Sequence, residues 1–296
     1  MCYNFRQSKE EWQTKAFMKI TKFRKKIQLT NDGSLQFFFA GTGGAFNKTH
    51  FQNNLIVIKG KDHVLIDCGS LCPYALKTFN TNLTEIRAFL PTHSHSDHIG
   101  GLEEAAFLNF YITKQKPEMV ITDQYKKILW EDSLKGALSY GEEKNPGVLF
   151  TFDDYFSQIR PVELKGTPRP VYEANVGSIN LKLIRTRHVQ CPGADWDNIF
   201  YSVGVLIDNR VFFSGDTKFD PSLLNWVEKT FNPEWIFHEC IFAKSSVHSS
   251  YEELSTLPLE LKKKMLLCHY SENYRDFSPK KDGFAGFAER GLYYTF

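Results

Sequence analysis

The chain lacks several features that would assign it to a class at once. It has no apolar run of about 18 residues, so no membrane-spanning helix is predicted. Its N-terminus carries charges where a secretory signal has an apolar core, so no signal peptide is expected. The 36 basic residues nearly balance the 34 acidic ones, and the net charge is only +2. That balance excludes a general nucleic-acid-binding polyelectrolyte, and no membrane partner is expected.

The chain also has no Cys-x-x-Cys pair among its six cysteines. Most cysteines stand in apolar runs such as Leu266-Leu267-Cys268, which predicts buried, reduced thiols in a cytoplasmic protein. No internal repeat or low-complexity segment is present, and a 42% hydrophobic content over 296 residues can fill a large core. Residues 1–34 are a polar, basic extension, expected to be a helix or arm with a solvated face, or else an arm that binds nucleic acid or a partner. Residues 35–296 are predicted to form one domain.

Residues 92–101, Thr-His-Ser-His-Ser-Asp-His-Ile-Gly-Gly, contain the strongest local signal. In an extended segment the alternate side chains of His93 and His95 point to the same side. Asp97 and His98 follow where a helix is expected to begin, so they can face a second point. One short loop can therefore supply ligands for two cations. Imidazole and carboxylate suit Zn²⁺, with Mn²⁺ or Fe²⁺ as alternatives. A histidine-rich surface loop is the competing interpretation.

The apolar pattern predicts many short strands mixed with helices, which is typical of an α+β or α/β layered domain. Strands are expected over Leu35–Ala40, Leu55–Ile58, Val64–Ile66, Ile86–Leu90, 120–121, Ile179–Ile184, Phe200–Ile207, Val211–Phe213, Trp235–Phe237 and Met265–Cys268, and a tyrosine-rich tail ends the chain at Leu292–Phe296. Apolar residues with helical spacing predict helices over Ile99–Tyr111, Tyr125–Leu134 and Ser222–Lys229. The turn-rich region 140–178 gives no clear pattern.

Three more polar residues each end an apolar run: His188, Asp216 and His269. Strands that end in this way can deliver their last residues to the same edge of a sheet. Taken alone, a histidine at a strand end is more often a hydrogen-bonding surface residue. Together with the 92–101 loop, however, the three complete a set of seven metal ligands.

The ordered set resembles the ligands of the metallo-β-lactamase superfamily, and the similarity extends from about Phe37 to Tyr274. The resemblance implies an αββα sandwich with the metals at one edge of the two sheets. It also implies one metal held by His93, His95 and His188, a second held by Asp97, His98 and His269, and Asp216 as the bridge. Asp67 matches the structural aspartate of that superfamily, which would orient a ligand imidazole.

Two segments between Asp216 and His269 are similar to the ribonuclease Z-like branch of the superfamily. Phe237-His238-Glu239-Cys240 and His248-Ser249-Ser250 stand where that branch has a His-Glu-Ala-Thr segment and a His-Ser/Thr segment. The resemblance makes His248 the proton donor of a phosphodiester reaction and Glu239 its supporting carboxylate. Asp97, Glu239 and His248 are thus the expected catalytic residues. A surface histidine that caps the helix starting near Ser249 is the alternative role for His248.

The chain lacks the long glycine- and proline-rich arm with which tRNA-processing members hold their substrate. Without that arm the chain is similar to the anti-Pycsar phosphodiesterases, a group that includes phage-encoded members and opens cyclic mononucleotides. The expected function is therefore hydrolysis of cyclic mononucleotides to linear monophosphates, which would counteract cyclic-nucleotide immune signalling. The alternatives are a tRNA 3′-processing endonuclease, with RNA as partner, and a protein that sequesters a nucleotide without turnover.

A nucleotide base needs an aromatic face on which to stack. Aromatic residues on loops near the expected metal edge are the candidates, although ordinary packing is the alternative for each: Phe46, Phe51, Tyr74 and Trp196. Arg187 and Lys218 are candidates for contact with the phosphate. Compact enzymes of this type often complete such a pocket with a neighbouring subunit, so a homodimer is expected.

Overall fold

Two large β-sheets form the centre of the protein in the computed structural model, which describes residues 18–140, 143–189, 193 and 195–296. In chain order the strands of these residues are β1 (Lys19–Lys22), β2 (Gln36–Gly41), β3 (Asn54–Lys59), β4 (Asp62–Ile66), β5 (Ala88–Leu90), β6 (Glu118–Val120), β7 (Glu143–Asn145), β8 (Val148–Leu149), β9 (Ser157–Ile159), β10 (Val162–Leu164), β11 (Val171–Val176), β12 (Ile179–Arg185), β13 (Val203–Ile207), β14 (Val211–Phe213), β15 (Trp235–Glu239), β16 (Met265–Cys268), β17 (Gly286–Phe287) and β18 (Leu292–Thr295).

The helices are short and lie between these strands. They are α1 (Cys72–Lys77), α2 (Ser96–Ile99), α3 (Leu102–Phe107), α4 (Asp123–Leu129), α5 (Lys135–Leu138), α6 (Phe152–Tyr155), α7 (Pro221–Phe231), α8 (Tyr251–Ser255) and α9 (Leu259–Lys262). Single 3₁₀ segments cover Leu83–Glu85 and Glu272–Asp276, and π-helical segments cover Leu108–Thr113 and Trp130–Leu134. No helix among the described residues has the length and apolar character needed to cross a membrane.

The two eight-stranded sheets each run from antiparallel to parallel pairing. The first has the order β1-β18-β2-β3-β4-β5-β6-β9, and the second has the order β10-β11-β12-β13-β14-β15-β16-β17. Parallel pairs begin at β4–β5 in the first sheet and at β14–β15 in the second. Parallel neighbours need crossover connections, and the chain supplies them with the helices that cover the outer faces.

The sheets pack face to face through aromatic side chains. Phe237 of β15 lies 5.5 Å from Phe37 and 5.2 Å from Phe39, both of β2, measured between ring centroids. A second cluster, on the other face of the second sheet, joins Leu206 and Phe212 to Leu223 of α7. Helices therefore lie outside paired sheets, which is the αββα sandwich expected from the resemblance.

Most predicted strands are present, with ends shifted by a few residues, but the predicted helix over Ile99–Tyr111 is divided. It begins earlier, as α2, restarts as α3 and ends in the π-helical segment. The break falls at Gly100-Gly101, where the chain passes close to the segment after β4. A Cβ on Gly101 would lie 2.7 Å from the Gly69 carbonyl oxygen and 2.8 Å from Cys68 Sγ. Glycine is required there because the two backbones touch.

The N-terminal extension also differs from its expected form. Lys19–Lys22 form β1, whose partner is β18, so this part of the extension is the edge strand of the first sheet. Its four side chains are exposed, and a basic edge strand discourages pairing with other chains. Residues 1–17, which include Lys15 of the basic cluster, lie outside the described residues.

The aromatic contact between the sheets carries a prediction for stability. Replacing Phe237 by Ala should lower the free energy of unfolding by about 3–5 kcal/mol, because it leaves a cavity where two sheets meet. Urea unfolding followed by circular dichroism measures the change. Phe46→Ala is the matched control, since Phe46 is 90% exposed and its loss should change stability by less than about 0.5 kcal/mol. Equal effects of the two variants would contradict this account of the core.

Candidate metal centre

Four strand ends bring the predicted ligands to one edge of the sandwich. β5 leads into the loop of His93 and His95, and α2 begins at the following residue and carries Asp97 and His98. His188 follows β12, Asp216 follows β14, and His269 follows β16 directly. Because neighbouring strands end at this edge, residues far apart in the chain meet there. All seven predicted ligands are brought together.

The first group consists of three histidines. His93 Nε2 and His188 Nε2 each lie 3.1 Å from His95 Nδ1, so three ring nitrogens converge on one point. His93 and His188 are fully buried, and His95 is half-buried. The Nδ1 atom of His188 donates to the Val247 carbonyl oxygen at 2.7 Å, which leaves Nε2 unprotonated to act as a ligand.

The second group joins two carboxylates to two histidines. His98 Nε2 lies 3.2 Å from Asp97 Oδ2, and His269 Nε2 lies 3.5 Å from the same oxygen. Asp216 Oδ2 completes the group at 3.3 Å from His98 Nε2 and 3.2 Å from His269 Nε2. All four residues are buried.

Asp216 belongs to both groups. Besides the two nitrogens of the second group, its Oδ2 atom lies 4.0 Å from His93 Nε2 and 4.0 Å from His188 Nε2. A carboxylate between two sets of ligands is the arrangement that bridges a pair of cations and offsets their charge. This is the position that the resemblance implied for it.

The donor set fits metal ions because it leaves polar atoms unsatisfied without them. His98 Nε2, Asp216 Oδ1 and both ring nitrogens of His269 are buried and have no hydrogen-bond partner within the described part of the chain. Buried polar atoms in native proteins are almost always paired, so orphans concentrated at one point indicate a missing partner. Imidazole nitrogens and carboxylate oxygens at this spacing are ligands for Zn²⁺, Mn²⁺ or Fe²⁺.

The pKa values of the ligands favour metal binding. Burial lowers the pKa of His188 to about 4, so its imidazole is neutral at physiological pH and needs no deprotonation. Burial alone would raise the pKa of Asp216, but the neighbouring imidazoles of His269 and His98 hold it well below its ordinary value. The bridging residue is therefore an anion that faces a cluster of donors.

Asp67 orients His98 of the second group by binding the ring nitrogen that faces away from the site. Its Oδ2 atom accepts from His98 Nδ1 at 2.7 Å, which directs His98 Nε2 toward the site. The backbone N–H of Thr92 donates to Asp67 Oδ1 at 2.7 Å and ties the aspartate to the start of the metal loop. This is the orienting role that the resemblance implied for Asp67.

The backbone is strained at two of these residues. Asp67 has φ 63° and His269 has φ 58°, in the left-handed region that non-glycine residues seldom adopt. Such strain costs of order 1–3 kcal/mol per residue and persists where the surroundings fix the conformation. Close packing surrounds both turns. A Cβ on Gly69 would lie 2.0 Å from the Asp97 carbonyl oxygen, and one on Gly44 would lie 3.1 Å from the His269 carbonyl oxygen.

A buried polar run, Gln52-Asn53-Asn54, connects these turns and was not predicted. Gln52 Nε2 donates to the Ala45 carbonyl oxygen at 3.3 Å, and its Oε1 accepts from the Leu71 N–H at 2.8 Å. Asn54 Oδ1 accepts from the Gly69 N–H at 2.9 Å. Because all three amides are buried, they position backbone next to the ligands.

Glu239 and His248 form a pair beside the second group. His248 Nδ1 donates to Glu239 Oε2 at 2.9 Å, and the Thr217 N–H donates to Glu239 Oε1 at 2.6 Å. Glu239 is fully buried, whereas 22% of the His248 side chain is exposed at the site. Burial lowers the pKa of His248, but the carboxylates of Glu239, Asp216 and Asp97 together outweigh it and raise that pKa to about 9. His248 does not cap α8, because Ser250 occupies the N-cap position.

The four aromatic residues predicted to contact a base are placed differently. Phe46 is 90% exposed and lies two residues from Gly44, which touches His269. Tyr74 is exposed on α1, the helix that follows the Asp67–Gly69 turn. Phe51 packs against the core, and the Arg290 guanidinium lies 4.6 Å from its ring centroid. Trp196 is half-buried, with Arg169, Arg185 and Arg187 within 6 Å of its ring. Base contact by these four stays a prediction.

Phe200 is an aromatic residue in contact with the candidate ligands, and sequence reasoning missed it. Its ring is stacked on His95 at 5.0 Å and lies 5.8 Å from His93 and 6.0 Å from His188. The apolar run Phe200–Ile207 was predicted to be entirely strand, but β13 begins at Val203. Phe200 therefore stands ahead of the strand, at the metal edge. An aromatic residue at the start of an apolar run carries no signal in the sequence that separates it from a core residue.

Comparison with known proteins adds a family and a fold. Residues 35–294 match the family described as "Anti-Pycsar protein Apyc1". A relative of that name from Paenibacillus sp. (strain J14) is 37% identical over 245 residues, 82% of this chain and 92% of the relative. Another, from Bacillus phage BSP38, is 34% identical over 266 residues, 88% and 97% of the two chains. The metallo-beta-lactamase fold protein YhfI from Bacillus subtilis superposes with a TM-score of 0.63 at 15% identity, covering 90% of this chain and 100% of that one.

The shared position of Asp216 generates a prediction about metal content. The purified protein should contain about two transition-metal ions per chain, because seven ligands are too many for one tetrahedral site. Asp216→Ala should lose at least one ion, as measured by elemental analysis after gel filtration. Asp132→Asn is the control, because this aspartate is exposed on a helix away from the ligands, and its metal content should be unchanged. A wild-type protein fully active with a single ion would contradict the bridging role.

Proposed function

The chain belongs to the anti-Pycsar protein Apyc1 family and has the metallo-β-lactamase fold, and from this premise we propose that it is a metal-dependent phosphodiesterase. Its proposed reaction is the hydrolysis of cyclic mononucleotides to linear monophosphates, which removes the signal of a cyclic-nucleotide immune response. The observation that carries the proposal is the pairing of two ligand groups around Asp216 with a proton donor, His248, beside them.

Two cations in these groups would activate a water molecule and stabilise negative charge on the phosphate oxygens. His93, His95 and His188 would hold one, Asp97, His98 and His269 the other, and Asp216 would bridge them. Zn²⁺ is the proposed metal, with Mn²⁺ or Fe²⁺ as alternatives. Asp67 keeps the His98 imidazole in the orientation that binding needs.

The departing alkoxide of a phosphodiester needs a proton, and His248 is placed to give it. Because its Nδ1–H is held by Glu239, the imidazolium keeps Nε2–H free to donate to the leaving oxygen. Glu239 is itself fixed by the Thr217 N–H, so the pair is oriented before the substrate arrives. Asp97, Glu239 and His248 are the catalytic residues of this proposal.

The shape of the chain favours a small substrate over a tRNA. Between α5 and α6 the described residues contain only the short hairpin β7–β8 and no protruding arm. The net charge of +2 also gives little general attraction to a polyanion. A mononucleotide needs only the metals for its phosphate and an aromatic face for its base. Phe200 beside the ligands and the exposed ring of Phe46 are the proposed contacts, with Tyr74, Trp196 and Phe51 as further candidates.

The proposal also includes a cytoplasmic homodimer. The described cysteines, Cys68, Cys72, Cys240 and Cys268, are buried free thiols, which fits a reducing compartment. The exposure of Phe46 and Tyr74 near the site supports an interface there, since large aromatic side chains are enriched at protein contacts. A neighbouring subunit at that edge would enclose the base.

The role of His248 predicts a dependence on the leaving group. His248→Ala should keep its metal ions and fold but lose about 10²–10⁴-fold in turnover of a cyclic nucleotide. The loss should shrink for a nitrophenyl phosphodiester, because its leaving group departs without a proton. Steady-state kinetics with both substrates, combined with metal analysis, makes the comparison. An equal loss on both substrates would assign His248 a structural role.

The substrate itself is tested with a panel followed by chromatography. We expect 3′,5′-cyclic mononucleotides to be converted to linear monophosphates faster than a 3′-extended tRNA is cleaved, with cyclic dinucleotides as a third arm. Rapid trimming of the tRNA with inert cyclic mononucleotides would replace the proposal by a tRNA 3′-processing endonuclease. Tight binding of a cyclic nucleotide without any product would identify a sequestering protein instead.

A further inference from the structure

Arg185, the last residue of β12, is a buried charge that the proposed reaction does not use. Only 1% of its surface is exposed. No carboxylate among the described residues pairs with it, and its Nε and Nη2 atoms have no hydrogen-bond partner there. A charge removed from water without a counter-ion is costly. The other contacts of this guanidinium must therefore offset that cost, and they show which segments of the chain Arg185 holds in place.

Besides a long hydrogen bond from Nη1 to Gln124 Oε1 at 3.4 Å, those contacts extend in two directions. Toward the loop that precedes β13, Nη1 donates to the Trp196 carbonyl oxygen at 3.0 Å, and the guanidinium lies 5.8 Å from the Trp196 ring centroid. Toward the core, the guanidinium lies 4.3 Å from the ring centroid of Tyr201. A cation over the face of an aromatic ring within about 6 Å of its centroid is attracted to it, so the guanidinium interacts favourably in both directions.

Phe200 lies between these two anchor points in the chain. Trp196 is held four residues before it, and Tyr201 is held immediately after it. Phe200 is stacked on His95 and faces His93 and His188, so Arg185 fixes both flanks of the ring that packs on the first ligand group. A planar guanidinium can stack on one ring while donating in its own plane, which a lysine cannot do.

The second path from Arg185 reaches the metal loop. Tyr201 is stacked on Tyr125 with ring centroids 4.5 Å apart and planes only 5° from parallel. Tyr125 is buried, and its hydroxyl accepts from Ser94 Oγ at 3.2 Å. Ser94 lies between His93 and His95 in the sequence. The chain of contacts therefore ends between two ligands of the same group.

We propose that Arg185 is a positioning residue for the three-histidine group, acting through Phe200 on one side and through the Tyr201–Tyr125 stack and Ser94 on the other. It touches neither substrate nor metal. Its role is to hold three imidazoles in the orientation that binds a cation, and thereby, on the basis of the proposed function, to set the rate of phosphodiester hydrolysis.

The decisive measurement is metal affinity, which needs no substrate. Zn²⁺ or Mn²⁺ is titrated against a chromophoric chelator with the wild type, Arg185→Met and Phe200→Leu. Methionine keeps the length and apolar stem of Arg185 but removes the planar donor. We expect Arg185→Met to lower the affinity for one of the two ions by about 10–100-fold, the usual effect of losing a residue that orients a ligand. Tyr125→Phe, which removes only the hydrogen bond with Ser94, should lower the affinity for the same ion by a smaller factor.

A double-mutant cycle tests whether Arg185 acts through Phe200. The affinity losses of Arg185→Met and Phe200→Leu should be clearly less than multiplicative when the two are combined, because they remove one pathway. Arg185→Lys should not restore affinity, since it keeps charge without the planar fork. Arg210→Met is the matched control. Arg210 lies in the turn between β13 and β14 and donates to Glu234 at 2.6 and 2.9 Å, so its loss should leave metal affinity unchanged.

Several outcomes would overturn the proposal. A lower melting temperature of Arg185→Met with unchanged metal affinity and unchanged kcat and KM for a nitrophenyl phosphodiester would show a merely structural residue. Full rescue by lysine, or fully multiplicative losses in the cycle, would also reject it. If Arg185→Met does not fold, unchanged metal affinity in Phe200→Leu would reject the proposal instead. Loss of metal affinity in a protein that turns over no cyclic nucleotide would support the positioning role while rejecting the proposed function.

Discussion

One carboxylate oxygen organises this protein. Asp216 Oδ2 has ring nitrogens of five histidines within 4.0 Å, namely His93, His98, His188, His248 and His269. Because Asp216 is buried, this anion needs positive charge close by, and the cations that these imidazoles would bind can supply it. The ends of β5, β12, β14, β15 and β16 must all reach the same point for that to happen. Much of the fold is therefore constrained by a single small space between the sheets.

The rigidity around that space comes from backbone conformations and close backbone contacts that few residue types can adopt. Asp67 and His269 are both held at positive φ, and glycines at positions 44 and 69 allow neighbouring backbone to approach. The buried side-chain amides of Gln52 and Asn54 accept hydrogen bonds from backbone N–H groups that would otherwise have no partner in these turns. Unfavourable local conformations are thus maintained by hydrogen bonds and close packing, which is how preorganised ligand sets are usually supported. The precision of the site is a property of these supports as much as of the ligands.

The seven candidate ligands could be predicted from the sequence because each carries its own local signal. Four stand in one short loop, and His188, Asp216 and His269 each end an apolar run, so the topology was needed only to bring them together. Phe200 could not be found in this way, since an aromatic residue at the start of a strand-like run is indistinguishable from core. Arg185 ends β12 inside a pattern that gives no sign of burial. The break between α2 and α3 was missed because close approach of two backbones is a tertiary feature.

The order β1-β18-β2 has a consequence for how the chain reaches this state. Strand β18, Leu292–Thr295, inserts between two strands from the beginning of the domain, Lys19–Lys22 and Gln36–Gly41. During synthesis β2 therefore has an unpaired edge until almost the whole domain has left the ribosome. Such an edge can pair with strands of other chains, and strand pairs between distant parts of the sequence form slowly. The sandwich is expected to be vulnerable to aggregation as a nascent chain and protected once β18 has docked.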